Sequence, residues 1–176
     1  MKRIDRIKKE AEITMDKIRG LTRHIRNVED NCLVLGEKLI ENGQIDLGRQ
    51  LIANGYVHDT SKFYGIEFDN LSSSEPSDIK QENAKLKMRM AIQHHQKTNK
   101  HHPESWAGGI RDMPEVYLAE FCCDAKARSE EFGTDLRQWV NEISTKKYNF
   151  CKDDMVYNKI MIYINLLCPP PFKEIK

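Results

Sequence analysis

Six histidines punctuate this 176-residue chain, and all precede residue 103: His24, His58, His94, His95, His101 and His102. His58 stands directly beside Asp59 in the stretch GYVHDTSKFYGIEF (55–68), and four of the rings crowd into AIQHHQKTNKHHPESW (91–106). Imidazole is the commonest nitrogen ligand for transition metals. Four such rings within nine residues fit neither an apolar core nor an ordinary charged surface. Taken singly, the other candidates have plainer readings. His24 shares a helical face with Val28, Cys32 and Leu35, where one histidine is more often a satisfied core residue. Without a partner its burial would cost about 1–3 kcal/mol. Asp124 falls on one stripe with Tyr117, Phe121 and Arg128, so Arg128 can pair with it at i,i+4. Asp59 can serve as a helix N-cap.

The elements that must carry these residues read as helices almost throughout. Glu, Lys, Arg, Ile, Leu and Met dominate, with no sustained alternation of apolar and polar residues. Gly20 is expected to separate a first amphipathic segment (about 2–19) from a second (about 21–42), with Gly43 as its C-cap. QIDLGRQLIANG reads as a short helix stopping at Asn54-Gly55, and His58-Asp59 follows that turn. DNLSSSEPSD (69–78) is loop by composition, with Ser77 or Asp78 available to cap a helix over about 79–97. Asn99 and Pro103 end that helix, which turns the second histidine pair back toward the first. Pro114 opens the next helix and Gly133 closes it. Two more follow, over about 134–147 and 152–167, before CPPPFKE ends the helical pattern. The expected architecture is all-α, a single-domain helical bundle of six to eight helices over 1–176.

Composition excludes several classes. With 39% hydrophobic and 31% charged residues, the chain reads as globular and long enough to bury a core. Its net charge of +1 creates no global field for nucleic acid or anionic membrane, and the basic MKRIDRIKK reads as a solvated helix face. No run approaches the roughly 20 apolar residues of a membrane span, and no signal-peptide core opens the chain. Five cysteines (Cys32, Cys122, Cys123, Cys151, Cys168) without C-x-x-C spacing suit buried thiols in a reduced compartment. The expected location is cytoplasmic. Neither a G-x-x-x-x-G-K-[ST] loop nor a Rossmann fingerprint is present.

In chain order the candidates run His24, His58-Asp59, His94-His95, His101-His102, Asp124. This order resembles the HD-domain superfamily of metal-dependent phosphohydrolases, whose pattern is a His, a His-Asp pair and a late Asp on the helices of an α-bundle. The resemblance covers about residues 20–130. HDTSKF, followed by H-x-x-x-N-x-H-H-P-E-x-W from His95 to Trp106, looks like a group of small HD-like bacterial and phage proteins. The resemblance implies an HD-domain-like bundle in which His24, His58, Asp59 and Asp124 hold a first metal. A second would be held by His94 or His95 and His101 or His102, with Asp59 bridging; His95 and His101 are favoured. Many relatives carry a glutamate acid-base shortly after the His-Asp pair. Here Lys62 stands at that place and Glu67 further on. Lys62 better matches the lysine that some two-metal relatives use to hold phosphate, and Arg128 can add a second phosphate-binding cation. The implied cofactor is one or two divalent ions of manganese, iron, zinc, cobalt or nickel. Such an ion lowers the pKa of its water and polarises a phosphoryl oxygen. The implied function is hydrolysis of a nucleotide or other phosphate ester by a metal-activated water. The alternatives are an HD-fold di-iron oxygenase and a non-catalytic metal-stabilised binding module. The expected partner is a small phosphate ester rather than a nucleic-acid polymer or a membrane, and a homodimer is open.

Overall fold

The longest element is a helix of 39 residues, α1 (Arg3–Glu41), in a computed structural model that describes residues 3–71 and 81–169. It runs straight through Gly20, contrary to the expected break. A Cβ there would meet nothing within 4 Å, so the glycine lies in open space. Its cost is only the roughly 1 kcal/mol of an interior helical glycine, which the flanking turns outweigh. Gly43 ends the helix as expected. With φ +83°, it donates to Ile40 O while Gln44 donates to Leu39 O at 2.8 Å, the hydrogen-bond pair of a Schellman stop.

This stop folds α2 (Ile45–Val57) back along α1. The two helices approach where side chains are absent. A Cβ on Gly48 would lie 2.4 Å from Gly36 O, and one on Gly55 would lie 2.7 Å from Cys32 Cβ. Gly55 is therefore a contact glycine inside α2, and the helix continues past it to Val57 instead of stopping there. Gly48→Ala should force the hairpin apart and cost about 1–3 kcal/mol, as overpacking does. Thermal denaturation of the variant reads that cost directly.

After α2 come a 3₁₀ turn (Thr60–Phe63) and α3 (Gly65–Asn70), which the Lys17 ammonium of α1 ties down through Phe68 O. Helix α4 (Glu82–Thr98) packs on α3, and two 3₁₀ turns (Pro103–Ser105 and Gly109–Asp112) lead to α5 (Glu115–Phe132). Gly133, at φ +63°, closes α5 as expected. The next helical stretch is α6 (Leu136–Trp139), a π-helical segment (Val140–Ser144) and α7 (Thr145–Lys147); α8 (Met155–Leu167) is last. The caps expected at Ser77 or Asp78, and the chain from Pro170 onward, lie outside the described residues.

No strand occurs among the described residues, and the chain forms one all-α domain. Helix α5 lies against both arms of the α1–α2 hairpin, and α8 covers α5 and α1. Val28, Leu35, Leu39, Leu51, Ala119, Cys123, Ile160 and Ile164 make the core between them. Among the described residues, no helix is long and apolar enough to cross a membrane. The five cysteines are free thiols; Cys32, Cys122 and Cys123 are buried.

Candidate metal centre

The glycine-to-backbone contact of α1 with α2 places the end of α2 beside His24. There the chain turns through Asp59, a non-glycine residue in the left-handed region at φ 54°, which Asp tolerates better than most. Asp59 occupies an N-cap position, yet its side chain makes no cap bond; it turns into the protein, 2% exposed. Its Oδ2 receives the Lys62 ammonium and lies 3.6 Å from His24 Nε2 and 3.4 Å from His58 Nε2. Its Oδ1 lies 3.3 Å from His95 Nε2 and 3.5 Å from His101 Nε2.

His95 comes from the last turn of α4. The segment beyond is bent back by its own hydrogen bonds: the His102 amide donates to Asn99 O, and the Ser105 hydroxyl reaches both Gln96 O and Asn99 O at 2.7 Å. Trp106 Nε1 donates to Lys100 O, and its ring packs on Tyr117 at 5.7 Å, so the tryptophan closes this turn. His101 and His102 thereby return to His95, whose Nε2 is 2.9 Å from His102 Nε2. From α5, Asp124 Oδ1 approaches His24 Nε2 at 3.2 Å.

Three groups of donors result: His24, His58 and Asp124 on one side of Asp59; His95, His101 and His102 with Asp59 itself on the other; and His58 and His101 with Glu120 behind them. Within each, one donor atom per residue lies within 4.8 Å of the rest. Buried polar atoms are almost always hydrogen-bonded. Among the described residues, six buried side-chain atoms have no such partner, and five are here: His24 Nε2, His58 Nε2, Asp59 Oδ1, His101 Nε2 and Asp124 Oδ1. Imidazole nitrogens and carboxylate oxygens aimed at a common point suit a divalent transition ion. The buried cluster can hold a metal ion.

The outward ring nitrogens show the same design. His24 Nδ1 meets Glu131 Oε1 at 2.9 Å, His58 Nδ1 meets Glu120 Oε1 at 2.9 Å, and His95 Nδ1 meets Glu67 Oε2 at 2.8 Å. A carboxylate behind a ring takes its Nδ1–H, leaving Nε2 as the free lone pair.

Charge is unevenly spread. Burial alone would lower the pKa of His58, but the neighbouring carboxylate of Asp59 and the hydrogen bond to Glu120 raise it to about 10. His24 is also raised: the nearby carboxylates of Asp124 and Asp59 outweigh its burial. On the other side burial wins. It lowers His95 to about 4, helped by Lys62, and lowers His102 to about 2, helped by His101 and His95. Burial would raise Asp59 and Asp124, yet surrounding histidines, with Lys62 beside Asp59, hold both well below the usual carboxylate range.

Of the residues expected from sequence, His24, His58, Asp59, His95, His101, His102 and Asp124 meet here. His94 stands outside the three groups, with a half-exposed side chain whose Nδ1 bonds Glu67 Oε1. Lys62 is buried on Asp59. Glu67 is buried too, accepting from Ser61, His94 and His95. Arg128 pairs with Glu131 at 3.1 Å rather than with Asp124. The sequence reading missed Glu120 and Glu131. Their signal was an acidic stripe on α5, with Glu120, Asp124 and Glu131 at i, i+4 and i+11.

A family model described as "Family of unknown function (DUF5662)" matches residues 14–164. No curated protein and no solved structure matches the chain.

Proposed function

The chain belongs to this family of unknown function, and we propose that it is a metal-dependent phosphohydrolase acting on a nucleotide or another small phosphate ester. The observation that carries the reading is the convergence of unpaired buried donors on both sides of one carboxylate, Asp59. His24, His58, Asp124 and Asp59 Oδ2 would hold one divalent ion; Asp59 Oδ1, His95, His101 and His102 would hold a second. The order of these residues along the chain resembles that of the HD-domain superfamily, and an all-α bundle is the architecture that resemblance implies.

Bound divalent ions supply a water of lowered pKa and polarise the phosphoryl group. The protein's own residues do the rest. Lys62 offsets the charge of Asp59 inside the cluster. Asp124, whose side chain is 18% exposed, and half-buried His102 mark the side from which a substrate enters. Lys147 stands toward that side: its ammonium lies 4.7 Å over the Tyr148 ring, and Tyr148 packs on Phe121, one turn before Asp124. Burial would lower the Lys147 pKa, but Tyr148, Glu104 and Asp124 raise it overall.

The test is protein purified without chelator, analysed for metal and assayed on a panel of nucleotides and phosphate esters. Phosphate release that chelator abolishes and metal restores is expected. Iron content with oxygen consumption, and no phosphate release, would replace this reading with a di-iron oxygenase. Bound metal with neither activity would leave a metal-stabilised binding module.

A further inference from the structure

Three glutamates stand behind the histidines of the cluster, and they are not equivalent. Glu131 holds His24, and Glu67 holds His95 together with the outlying His94. Glu120 alone among these three faces rings from both sides of Asp59. Its Oε1 is 2.9 Å from His58 Nδ1 and 3.4 Å from His101 Nδ1. His58 turns its Nε2 toward His24 and Asp124, whereas His101 turns its Nε2 toward Asp59 Oδ1 and the His95–His102 side. The two rings lie 4.3 Å apart, tilted 39°.

We propose that Glu120 is a positioning residue that couples the two halves of the centre, so that an ion in one half prepares the other. The inference rests on the reading that each half takes a divalent ion. Glu120 is 5% exposed, leaving little room for water to replace it as the rings' acceptor. Its second oxygen is held by the Asn54 amide of α2 at 3.0 Å, so the carboxylate is anchored on three sides. An ion on His58 Nε2 would draw electron density from that ring and strengthen its Nδ1–H as a donor. Glu120 would then hold the shared oxygen in place, and with it the orientation of His101 for a second ion. The ordering cost is met once for both ions, which makes the coupling positive. The negative charge between the rings also lessens repulsion between the two cations.

The experiment is a calorimetric and absorption titration of the full chain with Co²⁺, alongside Glu120→Gln, Glu67→Gln and Glu131→Gln. The native chain should take up two ions cooperatively. Glu120→Gln should weaken both ions by about 10–100-fold, the usual effect of losing such a partner, and make the two events independent. Glu67→Gln and Glu131→Gln should each weaken one ion by a comparable factor and leave the other unchanged. Each variant's unfolding profile without metal reports whether it folds. If Glu120→Gln does not, Asn54→Ala, which frees the second oxygen, should reduce cooperativity with smaller loss of affinity. Cooperativity retained in the variants of Glu120 and Asn54, or loss confined to one ion in Glu120→Gln, would overturn the role of Glu120 alone. Uptake of no ion or a single ion by the native chain would overturn the underlying two-ion reading, and the coupling with it.

Discussion

Asp59→Ala should remove both ions at once. No other side chain of the cluster approaches donors in both halves with separate oxygens: Oδ2 faces His24 and His58, and Oδ1 faces His95 and His101. Losing a hydrogen-bond partner of a ligand typically costs about 10–100-fold in metal affinity. Losing a ligand shared by two ions should exceed that, so the expected fall is more than about 100-fold for each ion, with the proposed phosphate release falling in step. The variant also strands the buried Lys62 ammonium, whose partner is Asp59. An unpaired buried charge is strongly destabilising, on the order of 3–5 kcal/mol. Asp59→Asn with Lys62→Met separates the two effects: it should restore much of the stability and none of the metal binding. Elemental analysis and calorimetry on both variants give the answer. Retention of either ion by Asp59→Ala would remove Asp59 from its bridging place.

Metal should raise the melting temperature of chelator-treated protein by about 8–16 °C. A ligand at about 1,000 times its Kd adds about 4 kcal/mol to the folded state, and for a domain of this size each kcal/mol is about 2–4 °C. The gain should be larger at pH 8 than at pH 6. The pKa of His58 is raised to about 10, and its Nδ1–H is engaged by Glu120, so the proton on Nε2 must leave before that nitrogen can coordinate. In the metal-free protein the sign is opposite. A raised folded pKa contributes stability that is fully present below the unfolded value of about 6.5 and fades as pH rises through about 10. Glu120 runs the other way: burial would raise its pKa, but hydrogen bonds from His101 and His58 lower it to about 2. Its contribution is present above the ordinary glutamate value of about 4.3 and is lost as pH falls toward 2. Scanning calorimetry with and without Zn²⁺ or Mn²⁺ at pH 8, at pH 6 and below the ordinary glutamate value of about 4.3 measures these trends. A melting temperature indifferent to metal would show that the converging nitrogens do not bind it.

The helices were legible because their signals are local. Apolar spacing marked α1, α2, α4, α5 and α8, and Gly43 and Gly133 announced their stops through the left-handed backbone they adopt. The same rule misread Gly20 and Gly55, because a glycine's sequence neighbours do not say whether it ends a helix or sits within one. Gly55 lies under Cys32, a contact that exists once α2 has folded back on α1. The ligand candidates were legible as types in an order. Which of the paired histidines turn inward was not: His94 and His95 are adjacent on one helix, and packing buries one while leaving the other at the surface. Arg128 illustrates a different limit. Helical spacing allowed it Asp124 or Glu131, and a rotamer choice gave it Glu131.

What a linear chain encodes through neighbours three or four residues apart is here the all-α architecture and the list of groups able to bind a cation. Distances between α1, the turn after α2, the end of α4 and α5 are set by core packing and by the glycine approach of the first two helices. That packing chose Asp59 as the carboxylate in the middle, added His102 to His95 and His101, and enlisted Glu120, Glu67 and Glu131 behind the rings. A helical acidic stripe marks Glu120 and Glu131 as a set, but not which ring each one holds, because that role is defined by a partner as far as 107 residues away in the chain.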